Sequence, residues 1–247
     1  MLKDQRIDTI MELLRQHKYL SVHFLVNQLH YSPATVRRDI CRLEKMGYAK
    51  KSYGGICLNE HAKPLIIREH ELTNEKGLLC REAAKLINDH ETIFIAGSST
   101  TYHLSKFLPE KKDITVVTTD MKLALYLEKM GVRCYCTGGL IRDGMLIGHL
   151  AIETLRQMNY DTCFFSVSGI SDDGELTVAS EEFGNLLKEV WKRSSRSICL
   201  GDESKLKKRS FYSIGNLQNV SHIISNGKFD KAIIKKFNTT TFIQANS

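Results

Sequence analysis

Beyond residue 75, short apolar runs alternate with amphipathic stretches at helical spacing, and this alternation leaves few ways for the chain to fold. The apolar runs fall at 92–96, 114–118, 132–137, 162–167, 196–200, 221–225 and near 240–243. Between them lie helical patterns at 75–88, 101–108, 120–129, 149–158, 181–194 and 228–237. Strands separated by helices of about 10–15 residues form a mostly parallel sheet covered by helices on both faces. The expected class is α/β, with a Rossmann-like domain over residues 75–247.

The first 55 residues follow another period. Ile7, Ile10, Leu13 and Leu14 repeat at helical spacing. Ser21 is placed to cap a second helix carrying Leu25, Val26 and Leu29. Ser32-Pro33 opens a third, with serine at the N-cap and proline at the first helical position. Val36, Ile40 and Leu43 form its buried stripe and Gly47 ends it. Residues 48–55 then alternate loosely and end in a glycine pair, as a short β-wing does. Residues 1–57 read as a winged helix-turn-helix, and 58–74, with Pro64 and no clear period, as a linker.

Charge separates the two regions. Residues 1–60 hold ten Lys/Arg against six Asp/Glu, whereas the other 187 hold 25 against 22. The net charge of +7 favours an anionic partner. No apolar run approaches the roughly 20 residues that span a bilayer, and no signal-peptide pattern opens the chain. Seven scattered cysteines fit reduced thiols in a cytoplasmic protein better than a disulfide framework. Cys134 and Cys136 are expected as two buried thiols on one strand face, without a metal.

The third helix carries the chemistry of the first region. With its apolar stripe inward, its outer face presents Ala34, Thr35, Arg38, Cys41, Arg42 and Lys45, with Arg37 on the flank. Arginine donates bidentately to guanine in the major groove, and Thr contacts a thymine methyl or a phosphate. Ser32, Thr35, Arg37, Arg38 and Arg42, with Lys50 and Lys51 on the wing, are the candidate contacts to a double-stranded DNA operator.

In the second region Gly97, Ser98, Ser99, Thr100 and Thr101 lie between a strand and a helix. Small hydroxyl residues at a helix N-terminus let amides and hydroxyls converge on an anion. Thr118 and the pair Gly138-Gly139 follow later strands, and ligands of open α/β sheets bind at the carboxyl ends of strands. Lys188 and Lys205 are placed to reach the same end.

These motifs together resemble the DeoR family of bacterial regulators. The matching residues are Arg6-Ile7, the run from Ser32 to Ile40, Leu43-Glu44, Gly54-Gly55, Glu75-Lys76, Gly97 to Thr101, Gly138-Gly139, Asp173-Gly174, Lys188 and Asp202 to Lys205. The resemblance implies that Thr35, Arg37 and Arg38 lie at the DNA, and that Asp39 orients an arginine or the helix itself. It also implies a C-terminal domain with the fold of sugar-phosphate isomerases, sensing a phosphorylated sugar. The chain departs from the pattern at Tyr53, where the family usually has His, at Ala96, where it has Asp, and at Thr119, where it has Asn. The expected protein is a transcriptional repressor of a sugar-metabolism operon. It is expected to be a homo-oligomer and to have no cofactor, metal or catalytic residues. The alternative is a sugar-phosphate isomerase or deaminase-like enzyme with an appended DNA-binding domain. That chemistry needs a positioned base, and the place after the first strand holds Ala96.

Overall fold

The computed structural model describes residues 3–17, 19–45, 49–58 and 73–246. The chain forms two compact units, Met1–Glu71 and Leu72–Ser247. Most of the stretch read as a linker, and Gly47, lie outside the described residues.

The first unit contains α1 (Lys3–His17), β1 (Tyr19–Ser21), α2 (Val22–Leu29), α3 (Pro33–Lys45), β2 (Ala49–Ser52) and β3 (Gly55–Leu58). Ser21 caps α2 by accepting the Phe24 amide at 3.1 Å. The helix ends where His30 adopts a left-handed φ of 56° and returns its amide to the Val26 carbonyl. Val36, Ile40 and Leu43 face inward, packed with Ile10, Leu14, Leu25 and Ile56. Beyond the expected hairpin, β1 pairs with β3 and makes a three-stranded antiparallel sheet, order β1-β3-β2. This third strand explains the glycine pair: a Cβ on Gly55 would lie 2.2 Å from the Leu20 carbonyl oxygen, and Gly54 turns with φ +72°.

In the second unit α4 (Thr73–Ala84) precedes β4 (Thr92–Ile95), a 3-10 helix (Thr101–Glu110), β5 (Thr115–Thr118), α5 (Met121–Lys129) and β6 (Arg133–Cys136). A hairpin of β7 (Leu140–Arg142) and β8 (Met145–Ile147) leads into α6 (His149–Arg156) and β9 (Tyr160–Ser166). There follow β10 (Gly169–Ile170), β11 (Glu175–Val178), α7 (Glu181–Lys192), β12 (Ser194–Leu200), β13 (Tyr212–Asn216), β14 (His222–Ser225), α8 (Lys231–Lys236) and β15 (Thr241–Gln244). The seven-stranded sheet is parallel, in the order β15-β14-β12-β9-β4-β5-β6. Alternate residues along its strands enter two cores. Phe94, Val117, Phe165 and Cys199 pack with Leu155, Leu186 and Val190 of α6 and α7. Ile93, Ile95, Val116, Phe164 and Ile198 pack with Leu79, Leu104 and Leu123 of α4, the 3-10 helix and α5. Two apolar faces on one sheet need two helical layers, so the doubly wound architecture follows from the strand composition.

Two expectations are corrected, and one feature is new. The segment 101–108 is a 3-10 helix rather than an α-helix. Pro109 has no amide to return to the Ser105 carbonyl, and the Ser105 hydroxyl is spent on the Tyr102 carbonyl. Cys134 is half-buried and Cys136 exposed, because β6 is the outermost strand. Burial pushes the Cys134 thiol up to about 11, so it is not a thiolate at neutral pH. The small antiparallel sheet β10-β11-β13 was not anticipated.

Candidate functional site

The outer side of α3 is open. Arg37 and Arg38 are exposed, and among the described residues neither has an ion-pair or hydrogen-bond partner. Ser32 accepts the Thr35 amide at 3.3 Å and meets the Thr35 hydroxyl at 3.0 Å, which fixes the first turn. Asp39 points the other way. It is 2% exposed and accepts two bonds from Arg6 of α1, Nε to Oδ2 at 2.6 Å and an Nη to Oδ1 at 3.1 Å. The Arg6 guanidinium also lies 4.5 Å from the centre of the Tyr31 ring. Asp39 therefore binds α3 to α1, and the positively charged face beside it keeps no acidic neighbour at that position.

The other candidates differ. Arg42 is half-buried and engaged within the protein. Lys50 is exposed on β2, whereas the Lys51 ammonium pairs with Glu44 of α3 at 2.8 Å. Lys51 thereby ties the wing to the helix. At the wing tip Tyr53 is fully exposed while the backbone beneath it is held: the Tyr53 carbonyl accepts from the Tyr19 hydroxyl, and Gly54 from the Val22 amide.

In the second unit the strand order reverses beside β4. The chain runs outward from β4 through β5 and β6, then returns to the other side of β4 as β9. The loop leaving β4 at such a switch point opens into a crevice at the carboxyl ends of the strands. That loop is Ala96 to Thr101. The Ser98 hydroxyl accepts the Thr101 amide at 3.0 Å and meets the Thr101 hydroxyl at 2.7 Å. This closes a turn of small hydroxyl residues at the start of the 3-10 helix, the candidate anion cradle. Ser98, Ser99, Thr100 and Thr101 are all buried.

Thr118 joins the cradle directly, its hydroxyl donating to the Ile95 carbonyl at 2.7 Å. Gly138 and Gly139 lie past β6, farther along the sheet edge. Gly139 has φ +139°, and a Cβ there would lie 2.5 Å from the Ile147 carbonyl oxygen, so the glycine seats the hairpin. Lys188 lies with its ammonium 4.4 Å from the centre of the Tyr212 ring, and Lys205 ends the short turn past β12. Two strands, β9 and β4, separate that turn from β5.

Sequence reasoning missed Met145. The hairpin folds back over the cradle: the Leu146 amide donates to the Thr119 carbonyl at 2.7 Å, and Met121 to Gly144 at 3.1 Å. A Cβ on Gly97 would lie 2.8 Å from the Met145 sulfur. It also missed two hydroxyls, Thr119 Oγ1 and Thr137 Oγ1, which are buried at the ends of β5 and β6 with no hydrogen-bond partner among the described residues. Uncompensated buried hydroxyls are costly, and a polar ligand is one way to satisfy them.

Two family models match this chain, the DeoR-like helix-turn-helix domain over residues 6–62 and the DeoR C-terminal sensor domain over 71–227. The transcriptional repressor GlcR of Bacillus subtilis is 30% identical, aligned over 91% of this chain and 89% of its own length. The regulator GolR of Listeria innocua is 30% identical over 94% of each. The glycerol-3-phosphate regulon repressor of Escherichia coli is 26% identical over 90% of each. Among solved structures, a D-ribose-5-phosphate isomerase aligns over 54% of each chain with 21% identity and a TM-score of 0.42. With both of its units matched by the family's models and its relatives aligned nearly end to end, the chain belongs to the DeoR family of helix-turn-helix transcriptional regulators.

Proposed function

We propose that this protein represses a sugar-metabolism operon and releases its operator when a phosphorylated sugar or related metabolite fills the cradle at Gly97–Thr101. The observation that carries the reading is the division of labour on α3. Arg37 and Arg38 are exposed without partners among the described residues, while Asp39, next in sequence, is buried against Arg6. A structural helix face has no need to keep two adjacent guanidinium groups unpaired; a DNA-reading face does. The relatives named as repressors, one of a glycerol-phosphate regulon, support the class of effector. The role is binding rather than turnover, in the cytoplasm where the DNA lies, and as a homo-oligomer that reads paired half-sites. DNA contact is assigned to Ser32, Thr35, Arg37, Arg38, Lys50 and, through the wing's position, Lys51, with Arg42 in a supporting place.

Two substitutions test this. Arg38→Ala weakens operator binding by about 1–3 kcal/mol and leaves effector binding unchanged. Thr100→Val abolishes the effector response and leaves the operator affinity of the free protein at the wild-type value. Fluorescence anisotropy with a selected operator, with and without a panel of sugar phosphates, reads both. If either variant damages both activities equally, or if the purified protein turns over a sugar phosphate, the reading fails. Sedimentation that finds only monomer, with and without operator, removes the paired half-site.

A further inference from the structure

We propose that the stretch 135–150 is the surface through which two copies of this chain pair; this rests on the homo-oligomer reading and names its interface. Among the described residues the sensor unit exposes eight large apolar side chains, and four of them fall in this one stretch. They are Tyr135, Leu140, Ile141 and Leu150, each 53–66% exposed. They also share one region of the fold. Tyr135 on β6 stands directly across from Val117 of β5. Val117 packs under α6 and α7, so Tyr135 lies on that same face, one strand farther out, on the last strand of the sheet. Gly138 and Gly139 then lead into β7, where Leu140 lies opposite Ile147 and Ile141 opposite Leu146 of β8. Leu150 is three residues past Ile147, in the first turn of α6, whose Ala151 and Leu155 take the inward face.

A two-stranded hairpin is marginal by itself in water, and a free strand edge invites pairing unless charge, proline or a bulge blunts it. The outer edge of β7 has no partner strand among the described residues. The two strands carry a single charged side chain, Arg142, and it is committed to Glu182 at 3.1 Å. An apolar patch of this kind marks a protein contact. Its size fits a second copy. At these exposures each side chain leaves about 100 Å² to cover, so the four offer about 400 Å² per copy. Interfaces are about 56–65% apolar, so one built on this patch buries about 600–700 Å² per copy. The total of about 1,200–1,400 Å² reaches the range of stable pairs. Apolar surface meets its own kind without needing an opposite charge, so a twofold axis can bring the same patch of each copy together. Met145 of the same hairpin rests on Gly97, so the pairing surface and the loop leaving β4 share one element.

The test is analytical ultracentrifugation of the full-length protein at micromolar concentration, with and without operator, for wild type, Ile141→Glu, Leu150→Glu and Phe211→Glu. The last adds the same charge at an exposed aromatic outside the stretch. Wild type and Phe211→Glu sediment as the same oligomer. Ile141→Glu and Leu150→Glu sediment at half that mass, with self-association weakened at least a hundredfold, and keep cooperative melting and the wild-type circular dichroism. If either keeps the wild-type mass, the pairing surface lies elsewhere and the homo-oligomer reading stands. If either loses cooperative melting, its side chain serves the fold and the surface is overturned as well. Equal dissociation of Phe211→Glu would show that added charge, not this patch, governs assembly. A wild type that is monomeric with and without operator removes both the surface and the homo-oligomer reading.

Discussion

Arg38 and Asp39 are adjacent on one helix, and the 100° step between successive helical residues sends their charges to opposite fates. Arg38 stays in solvent, while Asp39 is taken inside with Arg6, the pair's side chains being 3% and 11% exposed. Removing one member of a buried pair strands the other, which costs about 3–5 kcal/mol. A small domain whose whole stability is on the order of 5–15 kcal/mol loses much of it that way. Asp39→Ala should therefore destabilise the DNA-binding unit by about 3–5 kcal/mol. Arg6→Met combined with Asp39→Leu should recover most of the loss, because it leaves no stranded charge. Chemical denaturation of the wild type, Arg6→Met, Asp39→Leu and the double variant decides the matter, and additive losses in the double variant would mean that the pair is not coupled. The sequence motif already held this residue. Its position just after the arginine pair indicated an orienting role, but the partner, 33 residues away on α1, could not be read from spacing.

At the scale of elements, the β7–β8 hairpin packs onto the Gly97 end of the cradle. It places Met145 against Gly97 and bridges to Asp120, and Arg142 pairs with Glu182 at the start of α7 at 3.1 Å. Gly97→Ala should drive a methyl group into the Met145 side chain and destabilise the sensor unit by about 1–3 kcal/mol. Met145→Ala in the same chain should relieve most of that, giving a coupling well above 0.5 kcal/mol in a double-mutant cycle by thermal unfolding. Independent, additive effects would show that the hairpin does not rest on the cradle. The parallel core was legible because each strand is an unbroken apolar run and each crossover helix carries a periodic face. The hairpin was less visible because its strands are three residues long and the first of them faces outward, with Leu140 and Ile141 largely exposed. Its turn did leave a signal. Asp143 and Gly144 have φ of 50° and 78°, the left-handed pair that an Asp-Gly turn supplies. The turn at Ser98–Thr101 was legible from its small hydroxyl side chains after a strand, which have a local cause. Met145 reaches it from another element, and only the tertiary fold brings it there.

Across the whole molecule, regulation requires the two units to share free energy, though each has its own core. Unfolding enthalpy scales with length, so calorimetry of the free protein should show two transitions, the larger with roughly two and a half times the enthalpy of the smaller. Phosphate should raise only the larger transition, by an amount that follows ligand concentration over Kd, and Asp39→Ala should lower only the smaller. Operator DNA then exposes the coupling. If a bound effector weakens operator binding by some factor, the operator must weaken effector binding by the same factor, because both equilibria share one thermodynamic cycle. For a coupling of about 1–3 kcal/mol that factor is roughly 5- to 150-fold. Titrating effector into the free protein and into the saturated operator complex measures it from one side, and titrating operator with and without effector measures it from the other. Thr100→Val should leave the operator affinity of the free protein unchanged and erase the factor from both titrations. A Thr100→Val protein that releases its operator at wild-type effector concentrations would detach the Ser98–Thr101 turn from the signal, and unequal factors from the two titrations would rule out a single pair of linked sites.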